Sequence, residues 1–255
     1  MKCGILITNA LKRGTIMNRR FSITFVLIIM IMAGMTACGQ KKNVTTDDAF
    51  ETETVSIQET ASQEITTQEV TTEKEPEDDE HVLVKKYIPD IYVELMYATE
   101  NNFTGVKIYD FTDAYLRYGT VKKLANVQKE LKKQGYSLKI WDAYRPFEAQ
   151  KKLWEVYPDP NYVANPANGM RKHNLGGTID VTLVKSDGTD IAMPTEFDDF
   201  TAKADRNYSD IEDEEAVKNV MILQEVMENN GFTGYQGEWW DYSDTVEYEA
   251  VDFEP

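Results

Sequence analysis

The composition of the chain changes near His81, and this change limits which part of it can fold. Residues 41–80 are rich in Thr, Glu, Gln and Ser, and Phe50 is their only aromatic residue. Such a segment cannot bury enough apolar surface to offset the entropy that is lost on ordering it. Aromatic and alternating apolar residues begin at His81 and continue to the end. We therefore expect an acidic, disordered tether at 38–80 and one folded domain at 81–255, a size typical of single domains.

The first 37 residues have the features of an export signal. Two arginines at positions 19 and 20 precede an uncharged run that ends in small residues. Its most apolar part, residues 25–32, is shorter than the roughly 20 residues that span a bilayer. A basic start, an apolar middle and a small-residue end are typical of secretory signals. We expect residues 1–37 to be a signal peptide, with translation starting at Met1 or at Met17.

The signal ends in Met35-Thr-Ala-Cys38, which resembles the lipobox of bacterial lipoproteins. The resemblance implies that Cys38 is lipidated and that the protein is anchored on the extracytoplasmic face of the cell membrane. An ordinary signal peptide with an incidental cysteine and a retained anchor helix are the two alternatives. The only other cysteine is Cys3, so the folded domain contains neither an internal disulfide nor a cysteine metal ligand.

The net charge of the chain is −17. Nucleic-acid binding requires clustered Lys and Arg, so this charge argues against a nucleic-acid partner. It is compatible with a peptide or a cell-wall substrate.

Helical and extended patterns alternate in the folded domain without a regular βαβ rhythm, which predicts an α+β fold. We expect a central, mainly antiparallel sheet flanked by helices, with the functional site on the sheet. Apolar spacing and terminal glycines predict the longer helices, and alternation or short apolar runs predict the strands. The predicted helices are 121–133, 146–154 and 213–230, and the predicted strands or extended segments are 82–86, 91–96, 138–141, 178–184 and 237–242.

The histidine at position 173 is the stronger of the two candidate histidine ligands in the chain. His173 lies in a glycine-bearing loop, whereas His81 lies at the tether boundary and is expected on the surface. Asp180 follows His173 by seven residues, between Ile179 and Val181, and an unpaired aspartate is costly to bury there. A metal ion would explain Asp180, and an N-cap or a salt bridge is the alternative.

Two further segments carry candidate catalytic groups. Glu238 and Asp241 are three residues apart, and a carboxylate near a metal ion can act as a general base. A pair of solvated surface acids is the alternative. Arg145 lies between a predicted strand and a predicted helix, where its guanidinium can bind an oxyanion or a carboxylate. A structural ion pair is the alternative for Arg145.

These segments together resemble the VanX-type D-alanyl-D-alanine dipeptidases, within the wider fold family that includes the hedgehog signalling domain. That family has the pattern Ser-x-His-x-x-Gly-x-x-x-Asp followed by Glu-x-Trp-His. The remaining similar segments are Met-Tyr-Ala-Thr at 96–99, Asn-Phe-Thr-Gly at 102–105, Asp-Ala-Tyr-Arg-Pro at 142–146 and Phe-Asp-Asp-Phe at 197–200. They occur in the family's order over residues 82–254, which is more specific than any one motif.

The resemblance implies a role for each matching residue. His173 and Asp180 would bind one Zn²⁺ ion, and Glu238 would serve as general base and general acid. Arg145 would stabilise the tetrahedral intermediate. Tyr97 and Asp198 would hold the free ammonium of a dipeptide substrate.

Two positions depart from the family pattern. The third histidine ligand is replaced by Asp241, and the serine two residues before the first ligand is replaced by Arg171. Aspartate can bind zinc, but it makes the metal centre less positive, and oxygen ligands favour harder ions such as Mn²⁺. We therefore expect Asp241 to be the third ligand, of zinc or of another divalent metal. Arg171 is expected to contact substrate and to alter specificity.

These predicted site residues are compatible with three alternative functions. The first is metal-dependent hydrolysis of D-Ala-D-Ala or a related cell-wall peptide. The second is a carboxypeptidase that acts on longer peptidoglycan stem peptides. The third is a cell-wall-binding lipoprotein that has lost catalysis because Asp241 replaces the histidine.

Overall fold

The computed structural model describes residues 74–255. The predicted signal peptide, Cys38 and most of the predicted tether lie outside these residues. Residues 78–80 contact the domain directly, because the backbone N–H groups of Tyr118 and Gly119 donate to the carbonyl oxygens of Glu80 and Asp78. No helix within the described part of the chain is long and apolar enough to cross a membrane.

The described residues form the expected α+β fold, whose centre is a five-stranded sheet. The sheet order is β2-β4-β5-β7-β6, and only the β2–β4 pair is parallel. A separate antiparallel pair joins β1 and β3. The strands are β1 (His81–Leu83), β2 (Tyr92–Val93), β3 (Tyr115–Arg117), β4 (Tyr136–Asp142), β5 (Thr178–Lys185), β6 (Phe232–Gly234) and β7 (Asp241–Asp244).

Within residues 74–255, four α-helices accompany the strands: α1 (Val84–Tyr87), α2 (Tyr118–Lys133), α3 (Phe147–Val156) and α4 (Glu214–Asn229). Helices α2 and α4 contact each other and the sheet. The predicted apolar face of α2 is confirmed, since Val121, Leu124 and Leu131 are fully buried. Both long helices are followed by a glycine with a positive φ, as their sequences predict.

The extended prediction for residues 82–86 is wrong in its second half, where the chain turns into α1. The Ile88 N–H donates to the Val84 carbonyl oxygen and closes that helical turn. The strand predicted at 237–242 begins only at Asp241, because residues 235–240 form a loop.

Three neighbouring strands bring three aspartates into line. Asp180 on β5 lies opposite Asp241 on β7 and opposite Asp142 on β4. Upstream on β4, Ile140 pairs with Val181, and a register irregularity separates this pair from the Asp142–Asp180 pair. Without this irregularity, Asp142 would pair with an apolar residue of β5. Opposite residues share a face of the sheet and side chains alternate along a strand, so Asp142 would then lie on the apolar face. The irregularity therefore turns Asp142 toward the polar side of the sheet.

The expectation that His81 is a surface residue is wrong. Its ring is half-buried, stacks on Phe253 with centroids 4.6 Å apart and lies 4.5 Å from the ring of Tyr144. Its Nε2 atom is buried and has no hydrogen-bond partner among residues 74–255. Burial, and then the charge of Arg117, lower the pKa of His81 to about 4.

This lowered pKa predicts an acid-dependent loss of stability. His81 is neutral in the folded state, and its ordinary pKa of 6.5 in the unfolded chain favours protonation of that state. The contribution of His81 to stability is therefore complete above pH 6.5 and is lost as the pH falls toward 4. In urea unfolding at pH 7 and pH 4.5, His81→Phe should lose less stability between the two pH values than the wild type. Equal losses would contradict the assignment.

Candidate active site

His173 is presented by a short 3-10 turn, Lys172–Leu175, that ends at Gly176. Gly176 has a φ of 77°, a conformation that favours glycine. The Nδ1 atom of His173 is 2.9 Å from the Ala143 carbonyl oxygen, so Nδ1–H donates there and Nε2 carries no proton. Burial lowers the pKa of His173, which keeps the ring neutral. The Nε2 lone pair faces Asp180 Oδ2 at 3.5 Å and is available to a metal ion.

Asp180 and Asp241 supply the oxygen atoms of this site. Both side chains are buried, and neither Asp180 Oδ1 nor Asp241 Oδ1 has a hydrogen-bond partner in the described part of the chain. Burial, and then the charges of Asp241 and Asp142, raise the pKa of Asp180 well above its ordinary value. Two buried, unsatisfied carboxylate oxygens next to a free imidazole nitrogen fit a divalent metal ion, which would neutralise the charges.

Geometry favours Asp142 as a metal ligand, because within the described residues the ligand atoms of Asp142, His173 and Asp180 lie within 4.8 Å of one another, and Asp241 is not part of that group. Both Asp142 oxygens, however, already accept hydrogen bonds: Oδ1 from Tyr109 Oη at 2.6 Å and Oδ2 from Arg145 Nη2 at 2.6 Å. Its nearest contact to His173 is with Nδ1, at 3.6 Å. The clustering of ligand atoms thus favours Asp142 as the third ligand, whereas the unsatisfied Oδ1 atom favours Asp241.

Arg145 is held in a buried network. Besides its ion pair with Asp142, it donates from Nη1 to Gln150 Oε1 at 2.9 Å and from Nε to Tyr109 Oη at 3.2 Å. Its guanidinium carbon lies 5.1 Å from the centre of the Tyr97 ring. Each nitrogen therefore has one fixed partner, and the remaining N–H groups of this cation, which lines the cavity, can be directed at an oxyanion.

Glu238 lies on the loop between β6 and β7, after a turn closed by its own N–H and the Tyr235 carbonyl oxygen. Arg206 fixes this loop by donating to the carbonyl oxygens of Tyr235, Trp239 and Asp241. Burial, and then the charge of Asp241, raise the pKa of Glu238 to about 7. A carboxylate with this pKa can both accept and donate a proton near neutral pH.

Tyr97 and Asp198 form a second acidic group in the site. The Tyr97 hydroxyl donates to Asp198 Oδ2 at 2.9 Å. Burial raises the pKa of Asp198 to about 7, although the hydrogen bond from Tyr97 opposes the shift. A cationic group placed here would stabilise the charged carboxylate, so this corner suits an ammonium ion.

One cavity of about 190 Å³ is lined by these charged side chains, with the exception of Asp142 and Arg206. It is smaller than the pockets of about 300–1,000 Å³ that hold drug-sized ligands, which favours a short substrate. Arg171 also lines it, although its side chain is exposed. The eight predicted site residues within the described part of the chain all line this cavity: Tyr97, Arg145, Arg171, His173, Asp180, Asp198, Glu238 and Asp241.

Sequence reasoning missed several contributors to the site, namely Tyr109, Asp142, Gln150, Lys172 and Arg206. Asp142 and Lys172 lie within recognised motifs, but in the sequence alone each is indistinguishable from an ordinary surface charge. Their partners are distant in sequence; Lys172, for example, pairs with Asp241, 69 positions later. Trp239 and Trp240, which follow Glu238, are both fully buried.

A buried histidine, two facing carboxylates, a poised glutamate and a fixed arginine around one cavity define the class of metal-dependent hydrolases. Residues 77–252 match the family described as D-ala-D-ala dipeptidase. The D-alanyl-D-alanine dipeptidase of Escherichia coli K12 is 34% identical over 154 residues, which cover 60% of this chain and 79% of that protein. The enzyme of the same name from Enterococcus faecium is 31% identical over 170 residues, covering 57% and 82%. The chain belongs to the D-Ala-D-Ala dipeptidase family.

Proposed function

We propose that this protein hydrolyses D-Ala-D-Ala in a metal-dependent reaction. The observation that carries the proposal is the small cavity in which a possible metal site, a glutamate with a pKa of about 7 and an ammonium-binding corner lie together. The names of the relatives support the same activity, and they favour it over a stem-peptide carboxypeptidase or a non-catalytic binding protein.

We propose zinc as the metal, held by His173, Asp180 and Asp241. A nitrogen and two carboxylate oxygens are a ligand set that zinc accepts, and Mn²⁺ is the natural substitute because it favours oxygen. A divalent metal ion bound there would polarise the scissile carbonyl and make water a better nucleophile.

The protein's own residues would carry out the proton transfers and the positioning. Glu238 would take a proton from the attacking water and return it to the leaving amine, which its raised pKa allows at neutral pH. Arg145 would donate hydrogen bonds to the developing oxyanion. Asp198, held by Tyr97, would pair with the substrate ammonium and so select for a free amino terminus close to the scissile bond.

Hydrolysis by the purified protein tests this function. Loaded with Zn²⁺ or Mn²⁺, it should release alanine from D-Ala-D-Ala, and a chelator should abolish the activity until metal is restored. N-acetyl-D-Ala-D-Ala, which lacks the ammonium, should be cleaved at least tenfold more slowly, since one lost charge interaction corresponds to about that factor. Equal cleavage of the acetylated dipeptide or of a stem pentapeptide would instead indicate a carboxypeptidase. No hydrolysis with any metal would indicate a binding protein.

We also propose that the protein is a lipoprotein, anchored through Cys38 to the extracytoplasmic face of the membrane. The proposal is supported by the signal-like residues 1–37 and by the lipobox-like sequence before Cys38. On expression in a bacterial host with radiolabelled palmitate, the wild type should carry label and sediment with membranes. Cys38→Ser should carry none. Equal labelling of both would show that Cys38 is not the lipidated residue.

A further inference from the structure

The Lys172 side chain occupies an unusual position beside the proposed metal site. Its Nζ atom lies 2.9 Å from Asp241 Oδ2 and 3.9 Å from the centre of the Tyr235 ring. Asp241 is almost completely buried, with 3% of its side chain exposed, while 46% of the Lys172 side chain is exposed. The ammonium therefore reaches inward to a buried carboxylate from the mouth of the cavity.

The two oxygens of Asp241 have different surroundings. Oδ2 accepts the hydrogen bond from Lys172, while Oδ1 is buried and has no partner within residues 74–255. Asp241 thus binds a cation through Oδ2, and its Oδ1 atom is left available to a metal ion. Ligating carboxylates are commonly held by a hydrogen bond of this kind to their second oxygen.

The net charge of the site explains why a lysine belongs there. In the family pattern, a neutral histidine occupies position 241, so a divalent ion with one ligand aspartate leaves a charge of about +1. With Asp241 as a second acidic ligand, that charge would fall to about zero. The positive charge of the Lys172 ammonium would return the charge of the site to about +1.

We propose that Lys172 and Asp241 act as one unit, in which Lys172 cancels the charge of Asp241 so that the pair presents a single neutral oxygen donor to the metal. The pair replaces the histidine of the family pattern in both charge and position. This inference rests on the proposed metal-dependent function and makes Lys172 a positioning residue that sets the charge of the metal centre.

Metal affinity and the pH profile of hydrolysis test the inference in Lys172→Met, which removes the ammonium and keeps an unbranched side chain. Removal of a cation should tighten metal binding, on the order of tenfold in a chelator-competition titration with Zn²⁺. It should also lower activity at neutral pH and move the rise of the pH–activity curve to higher pH, because a less positive metal centre is a weaker Lewis acid. Lys151→Met, which removes an exposed lysine paired with Glu148, is the matched control and should change neither quantity.

Variants at position 241 test the same inference independently. Asp241→His alone leaves the ammonium of Lys172 facing a neutral ring, so it should bind metal less tightly than the Asp241→His, Lys172→Met double variant. The double variant should return the rise of the pH–activity curve to its wild-type position.

Two results would overturn the inference while leaving the proposed function intact. Weaker metal binding by Lys172→Met, with an unchanged pH profile, would mean that the lysine only holds the loop in place. Wild-type metal affinity and pH profile in Lys172→Met would mean that the ion pair is incidental. A wild-type protein that neither binds metal nor hydrolyses dipeptide would overturn the proposed function itself, and the inference with it.

Discussion

Glu238→Gln should lower kcat for D-Ala-D-Ala by about 10²- to 10⁴-fold, the range that a general acid–base group contributes. The amide keeps the shape of the side chain but cannot accept a proton from water or return one to the leaving amine. Metal content should not fall, because the proposed ligands are untouched. Steady-state kinetics on metal-loaded protein, with metal analysis of the same samples, measures both quantities.

The pH dependence gives the same prediction a second readout. Burial raises the pKa of Glu238 to about 7, so the fraction of wild-type protein with a basic Glu238 rises as the pH increases through about 7. The residual activity of Glu238→Gln should lack this rise. Glu225→Gln, an exposed glutamate on α4, is the matched control and should behave as the wild type. A variant at position 238 with more than half of the wild-type kcat would exclude Glu238 as the catalytic base.

Arg145→Lys is expected to lower kcat by about 10²- to 10³-fold, as the loss of an oxyanion donor does in other hydrolases. Lysine keeps the positive charge but cannot bond to Asp142, Gln150 and Tyr109 at once while still facing the substrate. The effect should therefore fall mainly on kcat, with a smaller change in KM.

A second variant separates catalysis from folding at this position. Tyr109→Phe removes one hydrogen bond to Arg145 and one to Asp142, but leaves the Arg145–Asp142 ion pair in place. It should cost tenfold or less in kcat, and thermal melting should show both variants folded. Wild-type kcat in Arg145→Lys, with an intact fold, would show that the charge alone is sufficient or that Arg145 does not contact the oxyanion.

Much of the fold could be predicted because local patterns and tertiary burial agree. The apolar face of α2 matches what the structure buries, and the strand predicted at 178–184 is β5, although all seven of these residues are buried rather than alternate ones. The extended prediction for residues 84–86 is wrong because Val84 and its neighbours suit either an extended or a helical backbone, and tertiary contacts decide between them. His81 was misplaced for a related reason: Phe253, which covers it, is 172 positions away.

The proposed site could be located from the sequence because its main groups lie in short motifs that retain the family's order. The supporting groups could not, since each depends on a contact between distant segments. Asp142 reaches the site through an irregularity in strand register, and no residue in the sequence indicates where that irregularity occurs. Arg206 donates to three backbone carbonyl groups of this loop, and these contacts leave no trace in the side chains of the residues that accept them.

The native register of β5 and β7 is also required to assemble the proposed metal site. Asp180 and Asp241 share a face only because they lie directly opposite each other, and a slip of one residue would turn Asp241 to the other face of the sheet. A chain in which β7 is unpaired or mispaired therefore lacks the complete proposed ligand set and would not gain the stabilisation that a bound metal would give to the native state. Metal in the surrounding medium would therefore stabilise only the molecules in which β5 and β7 pair in the native register.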